Sequence, residues 1–139
     1  MSKSKKKNYE VPTPKLPDEN IQFSFRFYDT SSKEFCISRW GEEKIFASLK
    51  ALQDINRKTY SELLGGKTVY HFHPVPWEQT DKKNGFPNAN VNALDAFQFA
   101  LIGVNGQKAR VFGALARNTF YIVWFDLEHK IYPTWKKNT

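Results

Sequence analysis

One cysteine, Cys36, is all the chain offers for redox or thiolate chemistry. An internal disulfide framework and a Cys-rich zinc site are therefore excluded. Cys36 sits within an apolar alternation and is expected to be a buried structural thiol. No apolar run approaches the roughly 20 residues that a membrane-spanning helix needs. The first residues are charged but lead into no apolar core of a signal peptide, so a cytoplasmic protein is expected. There is no Walker loop and no Gly-rich dinucleotide fingerprint. A nucleophile elbow and an HExxH pair are missing as well.

What the chain has is aromatic bulk and basic charge. Phe, Tyr and Trp make up 16% of the 139 residues. Each can bury about 150–250 Å², so one core is within reach without metal or disulfide. The formal net charge is +7. Lys3, Lys5, Lys6, Lys7 and Lys15 against Glu10 give the first fifteen residues +4, which leaves +3 for the rest. Much of the basicity thus belongs to a leader, and pI alone argues only weakly for a nucleic-acid partner. Pro12, Pro14 and Pro17 follow the Lys run, and residues 1–19 are read as a disordered basic leader. Residues 20–135 are read as one α+β domain.

Ile21 to Tyr28, IQFSFRFY, alternates apolar and polar with the period of a half-buried strand. DTSSK reads as a turn and EFCISRW as a second strand, together an antiparallel hairpin. Glu42 and Glu43 open a helix whose Ile45, Leu49 and Leu52 share one face. Thr59 and Glu62 have capping-box spacing for a short second helix that Gly65-Gly66 ends. Thr68 to Phe72 is a strand candidate, and Pro74 and Pro76 hold the next residues extended. Residues 78–92 read as a long irregular loop. Phe97 to Val104, Lys108 to Leu115 and Phe120 to Phe125 are expected to form a closing antiparallel meander, with Asn105-Gly106 as a hairpin turn. The order is β-β-α-α-β-β-β-β: an antiparallel sheet with both helices packed on one face, and FYIVWF at or near its centre.

Two groups of residues carry candidate chemistry. On a strand, His71 and His73 would share a face. They are read either as wet surface, as the start of a metal site completed by His129, Glu78 or Asp81, or as a proton carrier at His73 held firm by the Pro74 and Pro76 that follow it. In the closing meander, Lys108 and Arg110 would face one side, with Arg117 in the next turn and His129 and Tyr132 after the last strand. Arg clamps phosphate through two parallel hydrogen bonds and Lys supplies a point charge. His or Tyr moves a proton. Such a set suits RNA cleavage by the ribose 2′-hydroxyl, which needs no metal or other cofactor. It equally describes the charged, wet face of an ordinary sheet. Trp124 is read as core. Trp77 is read as packing under the long loop or, like Trp135, as a stacking platform for a base.

RVFGALARNTFYIVWFDLEHKIYP resembles the closing strands of a group of small bacterial and phage-borne proteins that end in a pattern like RVHGF…FYIVWLDPDHKLYP. FSFRFYD, LKALQDIN, HFHPVPWEQT and FQFALIG are similar to that group too, so the resemblance covers nearly all of the folded region. The meander, with Arg on its penultimate strand and a His/Tyr tail, also resembles the RelE/ParE-type toxins of toxin–antitoxin systems. The second resemblance implies a RelE-like fold, action on RNA or the ribosome, and an antitoxin partner. It implies phosphate contacts at Arg110 and Arg117, and acid–base work at His129, Tyr132 or His73. The opening hairpin and the HFHPVPWEQT insert depart from that pattern. The alternative reading is a non-catalytic protein- or nucleic-acid-binding accessory protein of a phage or mobile element.

Overall fold

The computed structural model describes residues 20–64 and 70–133. The basic leader, Gly65-Gly66, the start of the Thr68 to Phe72 candidate and Trp135 lie outside them. The fold is α+β. A five-stranded sheet runs in the order β1 (Gln22–Ser24), β5 (Thr119–Asp126), β4 (Arg110–Ala116), β3 (Asp95–Ala100), β2 (His73–Pro74). The expected closing meander is there: β3, β4 and β5 pair antiparallel in succession, with β4 at the centre and FYIVWF beside it.

The expected N-terminal hairpin is not formed. β1 is three residues long and pairs parallel with β5, which makes the sheet mixed. A parallel neighbour needs a crossover, and α1 (Glu42–Asn56) with α2 (Tyr60–Leu64) lies between β1 and the rest of the sheet in the chain. Side-chain bonds replace the hairpin ladder. Tyr28 Oη accepts the N–H of Ile37 at 3.0 Å, and Trp124 Nε1 donates to Asp29 Oδ2 at 2.7 Å. EFCISRW supplies one backbone bond to β5, from Phe125 N–H to Phe35 O at 3.0 Å, and then a single 3₁₀ turn, Ile37–Arg39. Cys36 is half-buried rather than buried. Its sulfur sits 3.1 Å from Ser38 Oγ and accepts from Tyr28 O–H at 3.3 Å. These contacts, Ser38 first, draw the thiol below its ordinary range.

The face of α1 is also turned from the expected one. Ser48, Ala51, Leu52 and Ile55 are buried, while Phe46 and Leu49 stand exposed. Ser48 Oγ donates back to Lys44 O at 2.7 Å, so this small residue is satisfied inside the contact. The capping box of α2 is as expected: Thr59 N–H to Glu62 Oε1 at 2.8 Å, and Glu62 N–H to Thr59 Oγ1 at 3.1 Å.

Both faces of the sheet are covered. The two helices pack Leu52, Ile55 and Leu63 onto Phe97, Phe99, Val111, Phe120, Ile122 and Phe125. The other face, with Phe112, Ala114, Val123 and Trp124, is roofed by Phe35, Val75, Phe86, Val91 and Ile131. The long loop is therefore a packed layer. It contains a 3₁₀ turn, Trp77–Gln79, and a short α3 (Ala89–Asn92). Trp77 packs edge-on to Phe86 and Trp124, at ring distances of 4.8 and 6.4 Å. Asn88 caps α3 by accepting from the N–H groups of Asn90 (2.8 Å) and Val91 (3.1 Å). Asn88→Ala is expected to cost about 1 kcal/mol, measured as a drop in thermal midpoint; an unchanged midpoint would show that the cap contributes nothing.

One irregularity sets which side chains meet which layer. Phe112 pairs with Trp124 but Gly113 with Ile122, so Val123 is an extra residue in β5. A bulge of this kind shifts the alternation by one. Ile122 and Phe125 both reach the helical layer, and Val123 and Trp124 both reach the loop layer.

Candidate functional site

β4 and β5 bring Arg110 opposite Asp126 at one end of the sheet. Lys108 does not extend β4. Asn105, Gly106 and Gln107 all have left-handed φ (50°, 61° and 66°), and the chain turns through a 3₁₀ step before the strand begins. Lys108 and Arg110 therefore share no strand face. Arg110 is half-buried, and its Nη1 donates to the carbonyls of Gln107 and, at 3.2 Å, Ala109. Burial pulls its guanidinium below the ordinary range, and the Asp126 charge acts the other way.

Asp126 organises the chain beyond β5. It is 1% exposed, and its Oδ2 accepts the Ile131 N–H at 2.7 Å. That bond folds residues 127–132 back over the end of the sheet. Asp81 N–H adds a second tie, to Ile131 O at 2.9 Å. Burial raises the Asp126 carboxyl above the usual range, while the N–H groups of Ile131 and Lys130 hold it down. The fold-back buries His129, whose φ is +60°, and Tyr132. Tyr132 O–H donates to Gln79 Oε1 at 3.3 Å, and its ring lies 6.3 Å from that of His73. His73, half-buried on β2, pairs in register with Gln98, and its Nδ1–H donates to Pro74 O at 2.9 Å.

His73 and Tyr132 thus meet on the loop-covered face, and the tail that carries His129 and Tyr132 is tied to Asp126, opposite Arg110. Arg117 does not join them. It sits exposed in the β4–β5 turn with φ +58°, seven residues from Arg110, which at ~3.3 Å per residue is about 23 Å away. One phosphate cannot meet both. His71 is exposed, with φ +49°, and precedes β2, so the expected shared face with His73 is absent. Among the described residues no group of three His, Cys, Asp or Glu side chains is placed to hold a metal ion. No helix among them is long and apolar enough to cross a membrane.

An open cleft of about 830 Å³ lies against this end, with Lys82, Lys108, Lys130, Asp81, Glu128 and His129 on its walls. Lys82 Nζ stands 5.1 Å from the centre of the Phe35 ring and 5.5 Å from that of Trp124. Two residues of this region carry no role on sequence grounds alone. For Asp126 the available signal is an acid that ends an apolar strand opposite an Arg on the preceding one. Gln98, 1% exposed and paired in register with His73, carries no such signal.

Comparison with protein-family models, with curated proteins and with solved structures finds no match for this chain.

Proposed function

We propose that the chain is a RelE/ParE-like toxin-type protein that acts on RNA as a metal-independent endoribonuclease. The observation that carries this reading is the meeting of His73 with Tyr132, on a tail tied to Asp126 opposite Arg110, near a cleft whose walls include Lys82, Lys108, Lys130 and His129. The element order adds support. With no opening hairpin, the chain runs strand, helix pair, meander, and one of its two departures from those toxins disappears.

In this reading the cleft lysines and Arg110 hold the phosphate, and His73, the more open imidazole, takes or gives the proton. Tyr132 and His129 shape the wall behind it. The setting is the cytoplasm, with the ribosome or free RNA as target and an antitoxin as partner. Wild type, His73→Ala and Arg110→Ala are expressed from an inducible promoter, and growth and RNA integrity are followed. The wild type is expected to slow growth and cut RNA, and His73→Ala to lose about 10²-fold or more in cleavage rate. Thermal melts of both variants separate lost chemistry from lost fold. Intact RNA and equal growth for all three would reject the reading.

Burial of His129 and Tyr132, at 6% and 7% exposure, favours a second reading. In it the protein is a non-catalytic protein- or nucleic-acid-binding accessory of a phage or mobile element. RNA binding that weakens steeply with salt, with no cleavage, would select it.

A further inference from the structure

The outer face of α1 holds two large apolar side chains in water. Phe46 is 64% exposed and Leu49 58%. They lie opposite the face that buries Ser48, Ala51, Leu52 and Ile55, so packing on the sheet does not account for them. Apolar residues scattered singly over a surface need no explanation, whereas a contiguous patch rimmed by polar groups marks a contact surface. Three residues apart on a helix, Phe46 and Leu49 are neighbours.

The patch belongs to a longer stripe. Glu42, Phe46, Leu49, Gln53 and Arg57 follow at steps of four, three, four and four residues, so they share one side of the helix. All five are exposed. Arg57, the C-cap, keeps αR backbone and continues the helical path. The stripe thus reads acid, apolar, apolar, polar, cation. Neither Glu42 nor Arg57 forms an ion pair among the described residues. The midpoint between them falls between Leu49 and Lys50. A second copy laid antiparallel about that point sets Glu42 against the partner's Arg57, Phe46 against the partner's Gln53, and Leu49 beside the partner's Leu49. Glu43, next to Glu42 in the first turn, adds to the same attraction. A parallel copy would set acid against acid and Arg against Arg. Lys50, whose Nζ stands 5.8 Å from the centre of the Phe46 ring, lies on the flank of the stripe, where its ammonium stays in water.

We propose that α1 is the interface of a symmetric dimer, in which the helices of two copies pack antiparallel across Leu49. The stripe is its own complement in that one orientation, as a two-fold interface requires. With 15 residues, α1 is about 22 Å long. The contact is therefore small and the dimer concentration-dependent. It goes beyond the RNA reading and does not depend on it: α1 covers the sheet face opposite the loop layer that holds Tyr132 and Ile131, so pairing leaves the 830 Å³ cleft open.

The test is sedimentation velocity on the full chain over a range of concentrations. Wild type is expected to pass from monomer to dimer with a dissociation constant of the order of 10⁻⁵–10⁻⁴ M, as suits a small interface. Phe46→Ala with Leu49→Ala should weaken association about tenfold or more without lowering the thermal midpoint, because both side chains are exposed in the monomer. Glu42→Arg and Arg57→Glu alone should each weaken it severalfold. Mixed together, these two variants should pair as well as wild type, because every Arg then meets a Glu; the double variant should recover likewise. Thermal melts of each variant separate lost pairing from lost fold. A wild type that stays monomeric at millimolar concentration, or a dimer that survives loss of Phe46 and Leu49, would overturn the proposal. Charge-reversed variants that fail to recover on mixing would overturn the antiparallel pairing on which it rests.

Discussion

Gly113→Ala is expected to destabilise the fold by about 3 kcal/mol or more, beyond the usual range of overpacked cores. That is a large part of the ~5–15 kcal/mol that holds a domain together. A Cβ at this position would lie 2.1 Å from the backbone oxygen of Tyr121 and 2.5 Å from Cε1 of Phe120. Neither neighbour can withdraw. The Tyr121 carbonyl belongs to the strand paired with β4. The Phe120 ring is fixed among Phe99, Phe72 and Phe23 at ring distances of 5.2, 5.8 and 6.1 Å. The cause is the Val123 bulge, which crowds β5 against β4 just where Gly113 passes.

The measurement is a thermal melt, with a midpoint about 10 °C or more below wild type. Gly103→Ala is the control. It has a left-handed φ of 77° but nothing within 4 Å of the added Cβ. It should cost only the backbone strain, about 1 kcal/mol. If the two variants melt alike, the close approach at Gly113 is not what demands glycine there.

The same bulge shows where the sequence stops being readable. FYIVWF is apolar throughout, so its length marks a strand buried on both sides, but no alternation tells which residue faces which layer. The meander, the start of α1 at Glu42 and the Thr59–Glu62 capping box are legible because each depends on local pattern or spacing. The N-terminal hairpin misleads for the converse reason. IQFSFRFY alternates well, yet only Gln22 to Ser24 pair, because the next residues meet side chains instead of a ladder: Tyr28 takes the Ile37 N–H and Asp29 takes Trp124. Such bonds join residues up to 95 positions apart. Period-two counting is blind to them.

The candidate site is half legible for a related reason. Residue types near the chain end point to His129 and Tyr132, and topology brings His73 to Tyr132 across β3 and β4. Closeness in sequence groups Arg117 with Arg110, although an extended strand carries two such residues apart. Alternation puts Lys108 on the strand, because three consecutive left-handed residues before it, two of them not glycine, are not foreseeable from composition. The burial of the His/Tyr tail rests on long-range ties, Asp126 Oδ2 and Asp81 N–H to Ile131 and Gln79 to Tyr132, and is invisible without the fold.

Asp126 therefore yields the second large effect, and its sign is fixed by the direction of its shift. Burial raises its carboxyl above the ordinary Asp value of about 3.9. Between that value and the higher folded one, the native state holds more protons than the unfolded state. Stability from this group is then fully present below the unfolded value and is lost as pH rises through the folded one. Above its folded value the carboxyl is a buried charge. Arg110 relieves it only in part, because its guanidinium is turned to the carbonyls of Gln107 and Ala109 and no ion pair closes between the two. Asp126→Asn keeps an acceptor for Ile131 and removes the charge. Relative to wild type it should gain about 1 kcal/mol between pH 4 and pH 7, within the range seen when buried ions are neutralised. Asp126→Ala is expected to lose about 2 kcal/mol at both values, because the Ile131 N–H is left buried without its partner. Amide exchange at Ile131 should quicken in the alanine variant and not in the asparagine one. Urea melts of the three proteins at both pH values decide the matter. A wild type that grows more stable than Asp126→Asn as pH rises would mean that Arg110 compensates the carboxylate fully and that burial does not govern it.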